Sequence, residues 1–180
     1  GPGEHDGITY NDDGSITLSL YAPGKEFVYA IGDFSDWEID ADYFMKRDGD
    51  HWWITLPASA FTAGEEYDFQ YLVDGTIRVA DPFAHKVRSP QDDGISDAVY
   101  PDLQPYPRDK TENLVSVLRP GAQAPTDTVQ FEPPPREDLV IYELLVRDFV
   151  ERSSYEVLAD TLGYLERLGV NAVEVMPVAN

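Results

Sequence analysis

Alternating apolar and polar residues mark the first half of the chain as a series of short β-strands. Apolar residues occupy every second position, counted from the first, in the segments 16–21, 27–31, 52–56 and 67–73. Asp-Gly pairs, which favour tight turns, lie between several of these segments. Alternation of this kind is typical of strands with one buried face. The pattern predicts a mainly β fold, with a β-sandwich over residues 8–100.

Residues 101–138 are rich in proline, which occurs eight times in this segment. Proline stiffens the chain and removes a backbone donor, so this segment is expected to be an extended connector. The apolar stretch 113–118 (NLVSVL) is the exception, and we expect it to add an edge strand to the sandwich. The run Pro133-Pro134-Pro135 is the best candidate for a domain boundary.

A different period begins after the prolines. Residues 139–146 (LVIYELLV) are nearly all apolar, as in a strand buried on both faces of a parallel sheet. Ser153 and Glu156 have the spacing of a capping box, and Gly169 is placed to end the helix that follows. Residues 171–176 form a second apolar run, which Pro177 stops. Residues 139–180 are therefore expected to form a β-α-β unit.

Composition and charge exclude several classes of partner and site. The 180 residues carry a net charge of −21, which disfavours binding to nucleic acid. The chain has no cysteine and only three histidines, so neither a disulfide nor a metal site is expected. We also expect no cofactor. No apolar run approaches the ~20 residues that cross a bilayer, so no membrane span is predicted.

The sequence does not indicate in which cellular compartment the protein is located. Gly1-Pro2-Gly3 has no basic or apolar region of the kind found in signal peptides, and it is typical of a cloning remnant. A soluble protein is expected. A secreted or cell-envelope bacterial protein whose targeting segment has been removed is one of the options.

The second part of the chain resembles the α-amylase superfamily, glycoside hydrolase family 13. The similar segments are LVIYELLVRDF (139–149), the helix YEVLADTLGYLERLGV (155–170) and GVNAVEVMPVAN (169–180). The resemblance implies that residues 139–180 are the first strand, helix and second strand of a (β/α)8 barrel. In this family the three catalytic acids follow strands four, five and seven. Those positions lie outside the chain, so no catalytic or metal-binding residue is assigned.

The first part of the chain resembles the early-set, immunoglobulin-like modules of carbohydrate-binding family 48 that precede such barrels. The similar segments are GDFSDW (32–37) and YDFQYLVDG (67–75). Trp37 matches a position that binds glycogen in some of these modules, and a second Trp there follows the Val-Asp-Gly turn. Ile77 occupies that second place here. The order of segments is similar to pullulanases, neopullulanases and branching enzymes.

Two tryptophans are candidate substrate contacts, because flat aromatic rings stack on the apolar faces of sugars. Trp37 is the first, with packing in the core or between domains as the alternative. Trp52 and Trp53 are consecutive in a strand and must face opposite ways. Trp52 shares a face with apolar residues and is expected in the core. Trp53 is the more exposed of the two and is the second candidate.

Three functional hypotheses remain open at this point. The chain is the non-catalytic amino-terminal part of a hydrolase or transferase acting on α-glucans, an autonomous α-glucan-binding module, or a module that braces the barrel. Glu143 and Glu174 are expected mid-strand, and barrel active sites lie beyond the strand ends, which favours a structural role for both. Three barrel elements would expose an apolar surface, so self-association through 139–180 is also expected.

Overall fold

The computed structural model describes residues 5–121 and 132–176. Within these ranges the chain forms two compact units. The first unit comprises residues 5–93 and 105–121, and the second comprises 94–104 and 132–176. Each unit has a hydrophobic core of its own.

The first unit is a sandwich of two antiparallel sheets, which confirms the predicted fold class. In chain order its strands are β1 (Gly7–Tyr10), β2 (Ile16–Tyr21), β3 (Val28–Gly32), β4 (Lys46–Asp48), β5 (His51–Leu56), β6 (Tyr67–Val73), β7 (Ile77–Val79), β8 (Val87–Arg88) and β9 (Val115–Leu118). The first sheet has the order β1-β2-β5-β4. The second has the order β3-β6-β9-β8, and β7 also pairs with β6.

The inner faces of the two sheets form the main core. As the alternation predicts, every second residue of β2, β5 and β6 faces inward, and all of these except the half-buried Tyr67 are buried. The core includes Ile16, Leu18, Leu20, Trp52, Ile54, Leu56, Phe69, Tyr71 and Val73. Trp52 is therefore a core residue, and its indole N–H donates to the carbonyl of Ala22 at 3.1 Å.

Strand β3 faces the opposite way from its predicted orientation. The alternation indicated Phe27, Tyr29 and Ile31 for the core face, whereas Val28 and Ala30 lie in the core between the sheets. Ile31 is nevertheless fully buried, because it belongs to a second apolar cluster on the outer face of the second sheet. A strand buried on both faces gives no reliable period of two.

Strand β9 corrects the expected edge strand at 113–118. It forms over Val115–Leu118, but it is hydrogen-bonded to β6 on one side and to β8 on the other. All four of its residues are buried, as an interior position requires. Residues 105–121 thus belong to the first unit and 94–104 to the second, which differs from a sandwich that ends at residue 100.

The second unit has the strand, helix, strand order expected from the sequence. Its elements are β10 (Ile141–Leu144), a helical turn α1 (Val146–Phe149), the helix α2 (Tyr155–Arg167) and β11 (Ala172–Val175). Strands β10 and β11 pair in parallel. The predicted stop at Pro177 lies outside the described residues.

Local signals set the limits of α2. Ser154 caps it by accepting a hydrogen bond from the backbone N–H of Glu156 at 3.2 Å, one residue after the expected Ser153. Gly169 follows the helix with φ of +87°, the left-handed conformation that glycine adopts easily. Leu158 and Leu165 are buried against β10, β11 and α1 residues, while Leu162 and Leu168 are exposed.

Candidate functional site

Trp37 lies in the interior of the first unit. It follows β3 through a short 3₁₀ turn, Asp33–Ser35, and only 6% of its surface is exposed. Its indole N–H donates to Oδ1 of Asp33 at 3.0 Å. The other carboxylate oxygen of Asp33 accepts from the backbone N–H of Asp68 at 2.7 Å. The Trp37 side chain is thus buried among other residues, and the polar edge of its ring has an internal hydrogen-bond partner.

Trp37 shares a buried apolar cluster with the segment 105–114, which we call the strap. Tyr106 of the strap belongs to one buried cluster with Ile31, Trp37, Leu72 and Val115. The hydroxyl of Tyr106 donates to the carbonyl of Asn113 at 2.6 Å, which closes the strap on itself. The chain's own connector therefore helps to bury the outer face of the second sheet.

Polar contacts fasten the strap to the sheet beneath it. The side-chain amide of Gln70 on β6 donates to the carbonyls of Glu112 and Leu114 at 2.8 and 2.7 Å. Thr111 Oγ1 donates to Oε1 of the same Gln70 at 2.5 Å. Lys110 Nζ lies 2.7 Å from Oδ1 of Asp36, next to Trp37. The strap is thus bonded through backbone and side chains along its second half.

Ile77, at the place of the second tryptophan in some family 48 modules, begins β7 and is partly exposed. Its aliphatic side chain offers no ring face for stacking. With Trp37 buried and Ile77 aliphatic, these two positions do not form an exposed aromatic pair.

Trp53 lies on the outward face of the first sheet and is half-buried. The pairing register places it between Ser19 of β2 and Lys46 of β4. The ammonium Nζ of Lys46 lies 4.8 Å from the centroid of the Trp53 ring, which is cation–π geometry. The sequence prediction that Trp53 faces away from the core agrees with this position, but its ring already has a cationic neighbour.

Two further rings on this face were not predicted as site residues. Tyr21 and His51 are directly paired across β2 and β5, with ring centroids 5.1 Å apart. Tyr21 is 54% exposed. His51 Nε2 lies 3.4 Å from Oδ1 of Asp6, which also accepts from Ser19 Oγ at 3.3 Å. In β2, Tyr21 alternates with the core residues and faces outward together with Thr17 and Ser19. That outward position is the sequence feature that could have identified it.

A buried network of charged side chains connects β8 to β6 in the second sheet. The guanidinium of Arg88 is buried; its Nε donates to Asp68 Oδ2 at 2.9 Å, and an Nη donates to Glu66 Oε2 at 3.2 Å. Lys86 Nζ also contacts Glu66, at 2.7 Å. Burial alone would raise the pKa of Glu66, but the hydrogen bonds and charges of Lys86 and Arg88 bring it below its usual value. Burial raises the pKa of Asp68 despite the contact with Arg88.

A second buried carboxylate joins β6 to the β9 strand. Tyr71 donates its hydroxyl proton to Asp81 Oδ2 at 2.9 Å, and Asp81 N–H donates to Ser116 Oγ at 2.6 Å. Burial raises the pKa of Asp81, and the hydrogen bonds from Phe83 and Tyr71 oppose that rise only in part. Both carboxylate oxygens of Asp81 thus accept a hydrogen bond from within the unit, one from Tyr71 and one from Phe83.

In the second unit, Glu143 and Glu174 lie directly side by side on β10 and β11. Both are exposed. Glycosidase chemistry needs two carboxyl groups on either side of a sugar bond. Two neighbours on the same face of one sheet do not supply that geometry.

Neither a metal cluster nor a membrane span is present in the parts of the chain that are described. In residues 5–121 and 132–176, no three His, Asp or Glu side chains lie close enough to hold a metal ion. Within the same ranges, no helix is long and apolar enough to cross a bilayer.

The family of the sandwich follows from a comparison of its sequence. The family model described as carbohydrate-binding module 48 (isoamylase N-terminal domain) matches residues 7–84, which run from β1 to just beyond β7. The predicted resemblance to family 48 is thus confirmed over residues 7–84, which contain both GDFSDW (32–37) and the Val-Asp-Gly turn at 73–75.

Curated relatives extend the similarity across both units. The chain is 30% identical over 170 residues to the malto-oligosyltrehalose trehalohydrolase of Saccharolobus solfataricus, covering 93% of this chain and 25% of that enzyme. It is 25% identical over 181 residues to 1,4-alpha-glucan branching enzyme GlgB 2 of Clostridium perfringens, covering 95% and 25%. The chain spans about a quarter of the length of these relatives. It aligns with the region of α-amylase-superfamily enzymes that contains the family 48 module.

Solved structures show the same fold. The catalytic module of SpuA, described as a multi-modular glycogen-degrading pneumococcal virulence factor, matches with a TM-score of 0.67 at 24% identity. That match covers 98% of this chain and 27% of that one. The pullulanase SAP of group B Streptococcus, solved with maltotetraose, matches with a TM-score of 0.66 at 20% identity, covering 98% and 24%. At these identities the likeness concerns the fold.

Proposed function

We propose that the protein processes α-glucans as an enzyme of the α-amylase superfamily, and that its family 48 module is a non-catalytic support for the barrel. The observation that carries the proposal is the match of 93–95% of the chain, through both units, to a trehalohydrolase and a branching enzyme. The strand, helix, strand order of the second unit agrees with the start of a barrel.

The packing of the module supports a structural role over sugar binding at Trp37. The central strands β6 and β9 of the second sheet are buried on both faces, with the inner face in the main core and the outer face in the cluster that includes Tyr106 of the strap. A glucan could reach Trp37 only after Tyr106 had left its cluster. The cost of opening such a cluster opposes binding there.

Turnover assays separate the roles of the module and the barrel. The full-length protein should release reducing ends from, or introduce branches into, an α-glucan such as amylopectin or pullulan. The 180-residue chain should do neither, because Glu143 and Glu174 lie side by side on one sheet and not on either side of a sugar bond. Clear turnover by the 180-residue chain would contradict the proposal.

A deletion tests the supporting role directly. Removing residues 5–121 from the full-length protein should lower its melting temperature and solubility more than it changes the KM for a short maltodextrin. A large rise in KM with an unchanged melting temperature would favour the alternative, an autonomous α-glucan-binding module.

A further inference from the structure

Acidic side chains far outnumber basic ones in this protein. The sequence has 34 aspartates and glutamates against 13 lysines and arginines, which gives a net charge of −21. A small domain usually carries a net charge of about 2–8 in magnitude. Like charges at this density repel one another, and the repulsion is relieved when the chain expands on unfolding. The net charge therefore opposes folding.

Exposed carboxylates are crowded in three short stretches of the first unit, at 12–13, 36–42 and 48–50. The second stretch has an exposed acidic residue at every second position from Asp36 to Asp42. Cα atoms two residues apart are separated by at most about 7 Å. At 0.1 M salt the Debye length is about 10 Å, so neighbouring carboxylates in these stretches repel each other with little screening.

The second unit brings two glutamates together across its strands. Glu143 of β10 and Glu174 of β11 are Cα partners in the parallel register, and both are exposed. Neighbouring strands lie about 4.8 Å apart. Like charges directly opposite each other destabilise a sheet. Repulsion between carboxylates is thus present in both units.

Ion pairs have the opposite dependence on salt, because added salt weakens attraction as well as repulsion. An exposed pair such as Lys110–Asp36 contributes little to stability, so little is lost when salt screens it. The contact of the buried Arg88 with Asp68 is screened much less. The excess of exposed carboxylates therefore decides the sign, and added salt should stabilise the fold.

We propose that the protein is adapted to high salt, and that its fold reaches full stability only at a salt concentration of about 1 M, where the Debye length falls to about 3 Å. That length is shorter than the ~4.8 Å between neighbouring strands and the ~7 Å between alternate residues. The cations act as a diffuse layer around the carboxylates and not as ions bound at one site. This property is independent of the proposed function, because it depends on charge and geometry alone.

Urea unfolding of the 180-residue chain at NaCl concentrations from about 0.1 M to about 2 M tests the proposal, with tryptophan fluorescence reporting on the first unit. The unfolding midpoint should rise steadily with salt. When five exposed carboxylates of the first unit are replaced by amides, the midpoint should exceed the parent's at about 0.1 M NaCl and should rise less with salt. The substitutions are Asp12→Asn, Glu26→Gln, Glu38→Gln, Asp42→Asn and Asp50→Asn. The matched control exchanges aspartate and glutamate at the same positions; because it keeps every charge, it should retain the parent's dependence on salt.

Two results would overturn the proposal. A midpoint that stays level or falls as salt is added would show that repulsion between carboxylates does not limit stability. An equal rise in the parent and in the five-amide variant would assign the effect to exclusion of salt from the protein surface, which does not depend on these charges. Neither result bears on the proposed enzyme function, since that function fails only if the full-length protein turns over no α-glucan.

Discussion

Replacing Tyr106 by alanine tests whether the strap is part of the folded core of the module. Tyr106 is 5% exposed and belongs to one buried cluster with Trp37, Ile31 and Leu72, and its hydroxyl donates to the carbonyl of Asn113 across the strap. The substitution removes both contacts at once. Tyr106→Phe removes only the hydroxyl and is the matched control.

The structure sets the expected size of each effect. Large buried aromatic residues cost about 3–5 kcal/mol of unfolding free energy when truncated to alanine. A hydrogen bond of the kind made by the Tyr106 hydroxyl contributes about 1 kcal/mol. We therefore expect a loss of about 3–5 kcal/mol for Tyr106→Ala and about 1 kcal/mol for Tyr106→Phe. With a urea m-value near 2 kcal/mol/M, the first loss lowers the unfolding midpoint by about 2 M.

Tryptophan fluorescence reports the unfolding of this unit alone, because all three tryptophans, at 37, 52 and 53, lie in the first unit. Urea titrations of the 180-residue chain and its two variants give the midpoints. Acrylamide quenching of the folded Tyr106→Ala variant should also rise, since Trp37 loses a neighbour from its buried cluster. A midpoint within about 0.3 M of the parent, with unchanged quenching, would refute the idea that the strap is part of the core.

Three other predictions follow from single contacts. Gly32→Ala should destabilise the module by about 1–3 kcal/mol, because a Cβ there would collide with the carbonyl of Asp68; urea unfolding measures it, and an unchanged midpoint would contradict the packing. Arg88→Ala should cost about 3–5 kcal/mol in the same assay, because it leaves buried carboxylates without their partner, and a cost below 1 kcal/mol would speak against a buried network. The free energy of unfolding should rise on mild acidification from neutral pH. The pKa of Asp81 is raised in the folded state, so that state binds a proton at a higher pH than the unfolded chain does. The free energy of unfolding should fall again below pH 4.5, the usual pKa of glutamate, because Glu66 has a lowered pKa and stabilises the folded state only while it is ionised. A steady decline in stability from pH 7 downwards would contradict these directions.

The sequence predicted the sandwich because period-two alternation reports burial on one face. Ile16, Leu18 and Leu20 lie in the core for that reason. The same signal failed at β3, where Ile31 is buried on the outer face by residues that follow it by some 75 positions. Contacts between segments so distant in sequence leave no local period.

The candidate site was predicted only in part, for a related reason. Trp53 was placed on the outward face by its neighbour Trp52 in the core. Tyr21, His51 and Lys46 come from three different strands, and only the register brings them together. Trp37 was a candidate because of the motif around it, and a motif does not show that its side chain is buried in one cluster with the strap.

Turnover of an α-glucan by the full-length protein, assayed beside the 180-residue chain on amylopectin and pullulan, decides whether the protein processes α-glucans. We expect reducing-end release or branching by the full-length protein and none by the 180-residue chain. Turnover by the 180-residue chain, or a full-length protein that processes only β-linked glucans, would contradict it.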